Sequence, residues 1–286
     1  MPLLDPSTVR RLATQLDLRP SKQRGQNFVV DANTVRRIVD LAQVGPGDVV
    51  CEVGPGLGSL TLGLLEAGAA VVAVEVEPSL GQQLPATVAE RVPEAAERLQ
   101  VLTADALRVT DLPGPAPTAV VANLPYNVSV PVLLHLLETF DSWQRGLVMV
   151  QLEVADRISA APGSKVYGAP SAKIAWYAQA TRVATVPPTV FWPVPNVDSG
   201  LVALQRRPPP PAAASREDVF AVVDAAFAQR RKMLRSALGS LAGGSQAAQQ
   251  ALVAAGVDPQ ARGETLGIED FARIAERLAG SVASPS

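Results

Sequence analysis

Cysteine and histidine occur once each, as Cys51 and His135, in a chain of 286 residues. That excludes an internal disulfide framework and a metal site built on histidines. Long apolar runs are missing too: none reaches the roughly 18 residues that a membrane-spanning helix needs. The segment from Met1 to Arg11 lacks the positive-then-apolar layout of a signal peptide. A cytoplasmic protein without metal and without a membrane is expected. Aromatic residues are scarce at 4%, but 48% of the chain is hydrophobic and 18% charged. This balance excludes a disordered chain and suffices for one large domain and a smaller one.

A large excess of positive charge is also lacking, since the net charge is −2. The distribution matters more than the sum. Residues 41–120 carry 3 basic and 10 acidic side chains, residues 1–40 carry 7 and 4, and residues 205–286 carry 10 and 8. The acidity is confined to one segment, so both ends of the chain can meet a polyanion if their cations share a face. A solvated mixed surface fits the charges equally well.

The chain is expected to comprise a basic N-terminal arm at residues 1–32, a catalytic domain at 33–207 and a helical domain at 208–286. The arm runs through Arg10 to Arg24 and ends in Gly25-Gln26-Asn27-Phe28. Asn33 reads as an N-cap, followed by Val35, Ile38, Val39 and Ala42 at helical spacing. Valine-rich runs at 48–53, 70–76, 99–103, 118–122 and 146–152 read as strands, alternating with helical patterns at 59–66, 78–91, 130–138 and 153–161. Buried strands alternating with helices predict an α/β fold with a doubly wound, mostly parallel sheet. Two late strands, at 181–190 and 199–205, suit an antiparallel edge hairpin. The four prolines from Pro208 to Pro211 form a stiff linker. Beyond them, residues 215–241, 246–255 and 269–278 read as helices.

Three features stand at the ends of successive strands. Glu52-Val53-Gly54-Pro55-Gly56-Leu57-Gly58 opens a helix, where glycine permits a sharp turn and close approach to a ligand. Gly58 comes one residue too early for the dinucleotide pattern G-x-G-x-x-G, which disfavours a nicotinamide dehydrogenase. Glu75 ends the second strand, placed to accept from two ribose hydroxyls. Asp105 follows the third strand and can accept from the amine of an adenine. Each alone also fits an ordinary turn or surface carboxylate. Together they resemble the S-adenosylmethionine site of class I methyltransferases, with the loop holding the methionine end.

Asn123-Leu124-Pro125-Tyr126 ends the fourth strand and looks like the motif of methyltransferases that act on exocyclic amines. An aromatic amine is a poor nucleophile because its lone pair is delocalised into the ring. The Asn123 side-chain oxygen and the Pro125 carbonyl can each accept an N–H bond, localising the lone pair and stabilising the charge that develops on nitrogen. Tyr126 can stack on the purine.

The resemblance extends further. Gly25-Gln26-Asn27-Phe28, Pro187-Pro188-x-x-Phe191-x-Pro193, Val197-Asp198-Ser199 and Phe227-x-x-Arg230-Arg231-Lys232 occur in the order found in the ribosomal RNA adenine dimethyltransferase family, in its bacterial small-subunit branch. The resemblance implies transfer of methyl groups from S-adenosylmethionine to N6 of two adjacent adenosines in the 3′-terminal hairpin of 16S rRNA. It also implies a partner, the small ribosomal subunit or its precursor, and is read with a monomeric enzyme. By the family pattern, Asn27 and Val29 close the cofactor pocket, with Gly54, Gly56, Glu75, Asp105 and Asn123. Phe191 stacks on the target base opposite Tyr126. Trp192 departs from the family, where a small or polar residue is more usual. Arg230, Arg231, Lys232 and Arg235 are expected on one helix, binding RNA phosphates. His135 and Cys51 are expected to be structural. The alternatives are a macrolide-resistance-type large-subunit rRNA methyltransferase, a DNA adenine methyltransferase and a non-catalytic assembly or transcription factor. The first fits the C-terminal pattern less well. The second lacks a target-recognition domain, and the third is disfavoured because every expected catalytic position is filled.

Overall fold

The computed structural model describes residues 3–18 and 27–282. Arg19, Lys22, Arg24, Gly25 and Gln26 of the expected arm lie outside the described residues. The chain divides into two compact units, Met1–Ala155 with Ala180–Arg206, and Asp156–Gln179 with Arg207–Ser286.

The arm is more than a run of charge, because Pro6–Gln15 forms helix α1. Asp5 caps it by accepting from the Thr8 N–H at 2.7 Å, and Pro6 stands where its missing N–H costs nothing. Val9, Leu12 and Ala13 recur on one face and are buried. After the short strand β1 (Phe28–Val29), helix α2 spans Ala32–Ala42. Its cap is Asp31, bonded to the Thr34 N–H at 2.7 Å, and not Asn33, which lies inside the first turn.

The alternating pattern is realised as β2 (Val49–Val53), α3 (Ser59–Glu66), β3 (Ala70–Glu75), α4 (Pro78–Arg91), β4 (Leu99–Thr103), β5 (Ala119–Asn123), α5 (Ser129–Thr139), β6 (Arg145–Gln151) and α6 (Leu152–Ile158). Helix α7 (Ala169–Tyr177) follows, then β7 (Ala178–Val186), β8 (Phe191–Trp192) and β9 (Ser199–Arg206). One seven-stranded sheet has the order β4-β3-β2-β5-β6-β9-β7. The first five of these strands pair in parallel, and β9 lies antiparallel to β6, with Ser199 opposite Gln151. Strands β2, β3, β5 and β6 are buried almost throughout, as expected when helices cover both faces. The chain steps outward from β2 to β3 and β4, then returns to β5 on the other side. The β2–β5 junction is therefore the topological switch point, where open α/β sheets bind ligands.

The second unit is helical: α7, α8 (Arg216–Ala228), α9 (Leu234–Ala237), α10 (Ser245–Ala254) and α11 (Ile268–Val282). Residues 156–179, expected within the catalytic domain, belong here. Phe220 of α8 meets Trp176 and Tyr177 of α7 edge to face, and the Tyr167 hydroxyl donates to the Leu266 carbonyl at 2.8 Å. The expected continuous helix over 215–241 is interrupted after Ala228. The Leu234 and Arg235 amides donate to the carbonyls of Ala261 and Pro259, so tertiary pairing replaces the bonds a continuing helix would need.

Candidate active site

A cavity of about 500 Å³ opens at the carboxyl ends of β2, β3, β4 and β5. The glycine loop forms one wall. Gly54 and Gly56 hold φ of 69° and 56°, in the left-handed region that residues with a Cβ seldom occupy. A Cβ on Gly54 would lie 3.8 Å from the Asn123 carbonyl oxygen, so the loop and the Asn123 motif abut at the switch point. A Cβ on Gly56 would come within 2.8 Å of the Phe28 ring, which covers the loop.

Glu75 is buried, and its two carboxylate oxygens accept from the Gly56 N–H at 3.1 Å and the Glu77 N–H at 3.0 Å. These bonds hold the carboxylate at the strand end and leave lone pairs for ligand hydroxyls. Burial raises its pKa above the ordinary carboxylate value, against the pull of those N–H groups. Glu52, 1% exposed, also borders the cavity and accepts from the Thr61 hydroxyl at 2.6 Å. Burial, partly countered by that bond and reinforced by the charge of Glu75, pushes its pKa up to about 8. Asp105 lies at the far rim, accepting from the Leu107 N–H at 2.9 Å.

The cavity also shows residues that motif reading passed over. Val76 and Leu107 line it and expose apolar surface, 67% and 37%, directly after Glu75 and two residues after Asp105. Apolar side chains left in solvent beside a ribose acceptor suit a planar base, and that adjacency was a usable signal. The Ser59 hydroxyl, buried at the start of α3, has no hydrogen-bond partner among the described residues and lines the same space. An unsatisfied hydroxyl at a helix N-terminus suits a carboxylate. Acceptors for ribose and adenine, an apolar slot and this donor end fit an amino-acid nucleoside such as S-adenosylmethionine.

Asn123 and Pro125 line the cavity as expected. The Asn123 Nδ2 donates to the Asn27 carbonyl at 3.0 Å, so its carboxamide oxygen is the atom left to accept. The Pro125 carbonyl accepts from the Val128 N–H at 3.2 Å and keeps a second lone pair. Tyr126 does not line the cavity, although Pro125 and Asn127 on either side of it do; it is half-buried, its hydroxyl 2.7 Å from the Ser199 Oγ, and burial raises its pKa while the bond to Ser199 opposes this.

Phe191 does not take the place expected for it opposite Tyr126. It is 2% exposed, does not line the cavity, and sits in the core opposite Val29. Pairing of β1 with β8 turns its ring inward, so it presents no face to a base in this conformation. The outward ring is Trp192, stacked on Phe28 at 6.3 Å between centroids. This pairing places Asn27, Phe28 and Val29 against the glycine loop; all three line the cavity.

In the second unit, the four expected cations do not share one helix. Arg230, Arg231 and Lys232 lie in the turn after α8, and only Arg235 is in α9. Arg230 is engaged internally, bonding Glu264 at 2.9 Å and the Lys165 carbonyl at 2.6 Å. Arg231 and Lys232 are exposed. Among the described residues, no group of histidine, cysteine and acidic residues could hold a metal ion. Cys51 is buried and its thiol is pushed up to about 12 by burial, and His135 bonds the Val109 carbonyl at 2.8 Å, both as structural residues do.

The sequence pattern of the family described as ribosomal RNA adenine dimethylase matches residues 18–280. The chain is 68% identical over 274 residues to ribosomal RNA small subunit methyltransferase A of Thermobifida fusca, covering 96% of each chain. It is 66% identical over 282 residues to the protein of that name from Cutibacterium acnes, covering 97% of this chain and 95% of the relative. Among solved structures, a dimethyladenosine transferase from Plasmodium falciparum superposes with a TM-score of 0.72 at 20% identity, over 86% of this chain and 95% of that one. The 23S rRNA methyltransferase ErmE superposes with a TM-score of 0.64 at 27% identity, over 88% and 100%.

Proposed function

The chain belongs to the ribosomal RNA adenine dimethylase family, and from that premise we propose that it dimethylates N6 of two adjacent adenosines in the 3′-terminal hairpin of 16S rRNA, within the small ribosomal subunit or its precursor. It is an S-adenosylmethionine-dependent rRNA methyltransferase. The small-subunit target is favoured over the large-subunit one by 68% identity to the small-subunit relative against 27% to the 23S enzyme. Action as a monomer in the cytoplasm is part of the same reading; among the described residues no helix is long and apolar enough to cross a membrane.

The observation that carries the chemistry is the bond from Asn123 Nδ2 to the Asn27 carbonyl. It orients the carboxamide so that its oxygen can accept an N–H of the target amine, while the Pro125 carbonyl accepts the other. Two acceptors draw the nitrogen toward tetrahedral geometry, localise its lone pair and stabilise its developing positive charge. Bound S-adenosylmethionine supplies a methyl group activated by the sulfonium. Glu75 holds the ribose, Asp105, Val76 and Leu107 the adenine, and the Ser59 hydroxyl at the start of α3 the carboxylate. Tyr126 stacks on the target base. No strong general base is needed, because a methylated arylammonium loses its proton readily. The chain's main contribution is alignment. Arg231, Lys232 and Arg235 contact RNA phosphates, and Arg230 braces their turn.

The test is transfer of tritium from labelled S-adenosylmethionine to RNA and to small-subunit particles that lack the modification. Dimethyladenosine at the two adjacent positions is expected. Labelling confined to large-subunit RNA would overturn the assignment.

A further inference from the structure

We propose that Ser199 is a positioning residue for Tyr126, fixing the place and axis of the ring against which the target adenine stacks; the proposal rests on the stacking role given to Tyr126 above. The Val197-Asp198-Ser199 motif has no part in the cofactor cavity, yet its serine is 0% exposed. A buried hydroxyl needs a partner, and its partner is the Tyr126 phenol at 2.7 Å.

The placement suits a fixed anchor. Ser199 begins β9 opposite Gln151, the last residue of β6, and β6 lies beside β5, whose end carries Asn123. Ser199 is therefore at the same edge of the sheet as the site. Its backbone is held on both sides. The Leu152 N–H donates to the Asp198 carbonyl at 3.0 Å, and Gly200 lets Ala155 pack so closely that an added Cβ would lie 2.4 Å from the Ala155 Cβ.

A tyrosine ring has two torsions between backbone and hydroxyl; the hydroxyl lies on the axis of the second, so holding it fixes the first and with it where the ring sits and which way its long axis points. Without the bond, the half-buried ring retains its stacking surface but samples other orientations. Stacking and alignment of the amine then weaken, while cofactor binding is untouched. The effect should appear in the methyl-transfer step and not in the cofactor dissociation constant.

The experiment compares Ser199→Ala, Tyr126→Phe, the double variant and Tyr126→Ala with the parent. Single-turnover methyl transfer to small-subunit particles lacking the modification is measured, with S-adenosylhomocysteine affinity by calorimetry and melting temperature alongside. Loss of one neutral hydrogen bond predicts a roughly five- to tenfold slower rate in each hydroxyl variant. The double variant should be no slower than either single one, because both remove the same bond. It leaves no orphaned hydroxyl, so it keeps the test open if Ser199→Ala folds poorly. Tyr126→Ala should be slower still, with cofactor affinity retained throughout. Parent rates in Ser199→Ala and Tyr126→Phe, with Tyr126→Ala impaired, overturn the positioning role alone, even if melting temperatures fall. A multiplicative loss in the double variant overturns it too, because the two hydroxyls then act separately. A parent rate in Tyr126→Ala overturns the stacking role itself.

Discussion

Glu52 and Asn123 are polar residues at the ends of adjacent strands, and the tertiary structure treats them oppositely. Glu52 is enclosed, so it keeps its proton up to about pH 8 in the folded protein, whereas the unfolded chain releases it near the ordinary value of 4.5. Between those limits the folded state binds more protons, so this residue's contribution makes stability fall as pH rises. Glu52→Gln should remove that slope. Its unfolding free energy should gain on the parent's by about 2 kcal/mol or more between pH 5.5 and 8. Urea titrations across that range check this, and parallel curves would show that Glu52 is ionised in the fold. Asn123 borders the cavity with its nitrogen committed to Asn27. Asn123→Ala removes one preorganised acceptor and should slow turnover on the order of 100-fold, about 3 kcal/mol. Rapid-quench rates test it, and the affinity for S-adenosylhomocysteine should move far less. An unchanged rate would mean that the amine is activated elsewhere.

Two elements depend on a single small feature each. Helix α2 starts where the Asp31 carboxylate accepts from both the N–H and the hydroxyl of Thr34, at 2.7 and 2.6 Å. Asp31→Ala should lower stability by about 1 kcal/mol, seen as a lower urea midpoint with an unchanged slope. The turn from β2 into α3 depends on Gly56, which has both a left-handed φ of 56° and no room for a Cβ against Phe28. Gly56→Ala should displace that ring, and roughly 1 kcal/mol of strain or more should appear as at least a fivefold loss of cofactor affinity. Calorimetry decides it; parent affinity would mean that the Phe28 cover is dispensable. The break between α8 and α9 comes from amides at 234–235 that pair with carbonyls at 259–261, and Arg230 ties the same turn to Glu264. Arg230→Ala is therefore expected to act on the stability of the helical unit.

Across the molecule, a net charge of −2 coexists with a proposed RNA interface because the acidic excess is confined to residues 41–120. Binding to phosphates depends on local cations and the counterions they displace, with little regard to the total. Replacing Arg231 and Arg235 by alanine should weaken RNA binding alike for all sequences. The salt dependence should flatten by roughly two units of slope at most. S-adenosylhomocysteine affinity should not change, because none of the cavity-lining residues belongs to that unit. Equal salt slopes for variant and parent would move the RNA path to the basic arm from Arg10 to Arg24.

The sequence by itself determined whatever depends on short-range order. Valine-rich runs alternating with amphipathic segments are enough to specify buried parallel strands and covering helices, and α3, α4 and β4 begin and end where the pattern says. Gly54, Glu75, Asp105 and Asn123 were legible because each is tied to a strand end, and all strand ends of a doubly wound sheet meet at one edge. Helix α1 is equally local, signalled by Asp5, Pro6 and the Val9–Leu12–Ala13 spacing within a stretch that is also basic. Tertiary structure alone decided the rest. Strand β1 has two residues and no periodicity of its own; it exists because β8, more than 160 positions away, supplies its hydrogen bonds. That pairing buries Phe191, turns Trp192 onto Phe28 and brings the Asn27 carbonyl to Asn123. The cations at 230–235 read as one helix because helical propensity is local, whereas the 259–261 carbonyls that end it are remote in sequence. Ser199 and Tyr126, 73 positions apart, meet for the same physical reason: sheet order, and not chain order, sets which side chains are neighbours.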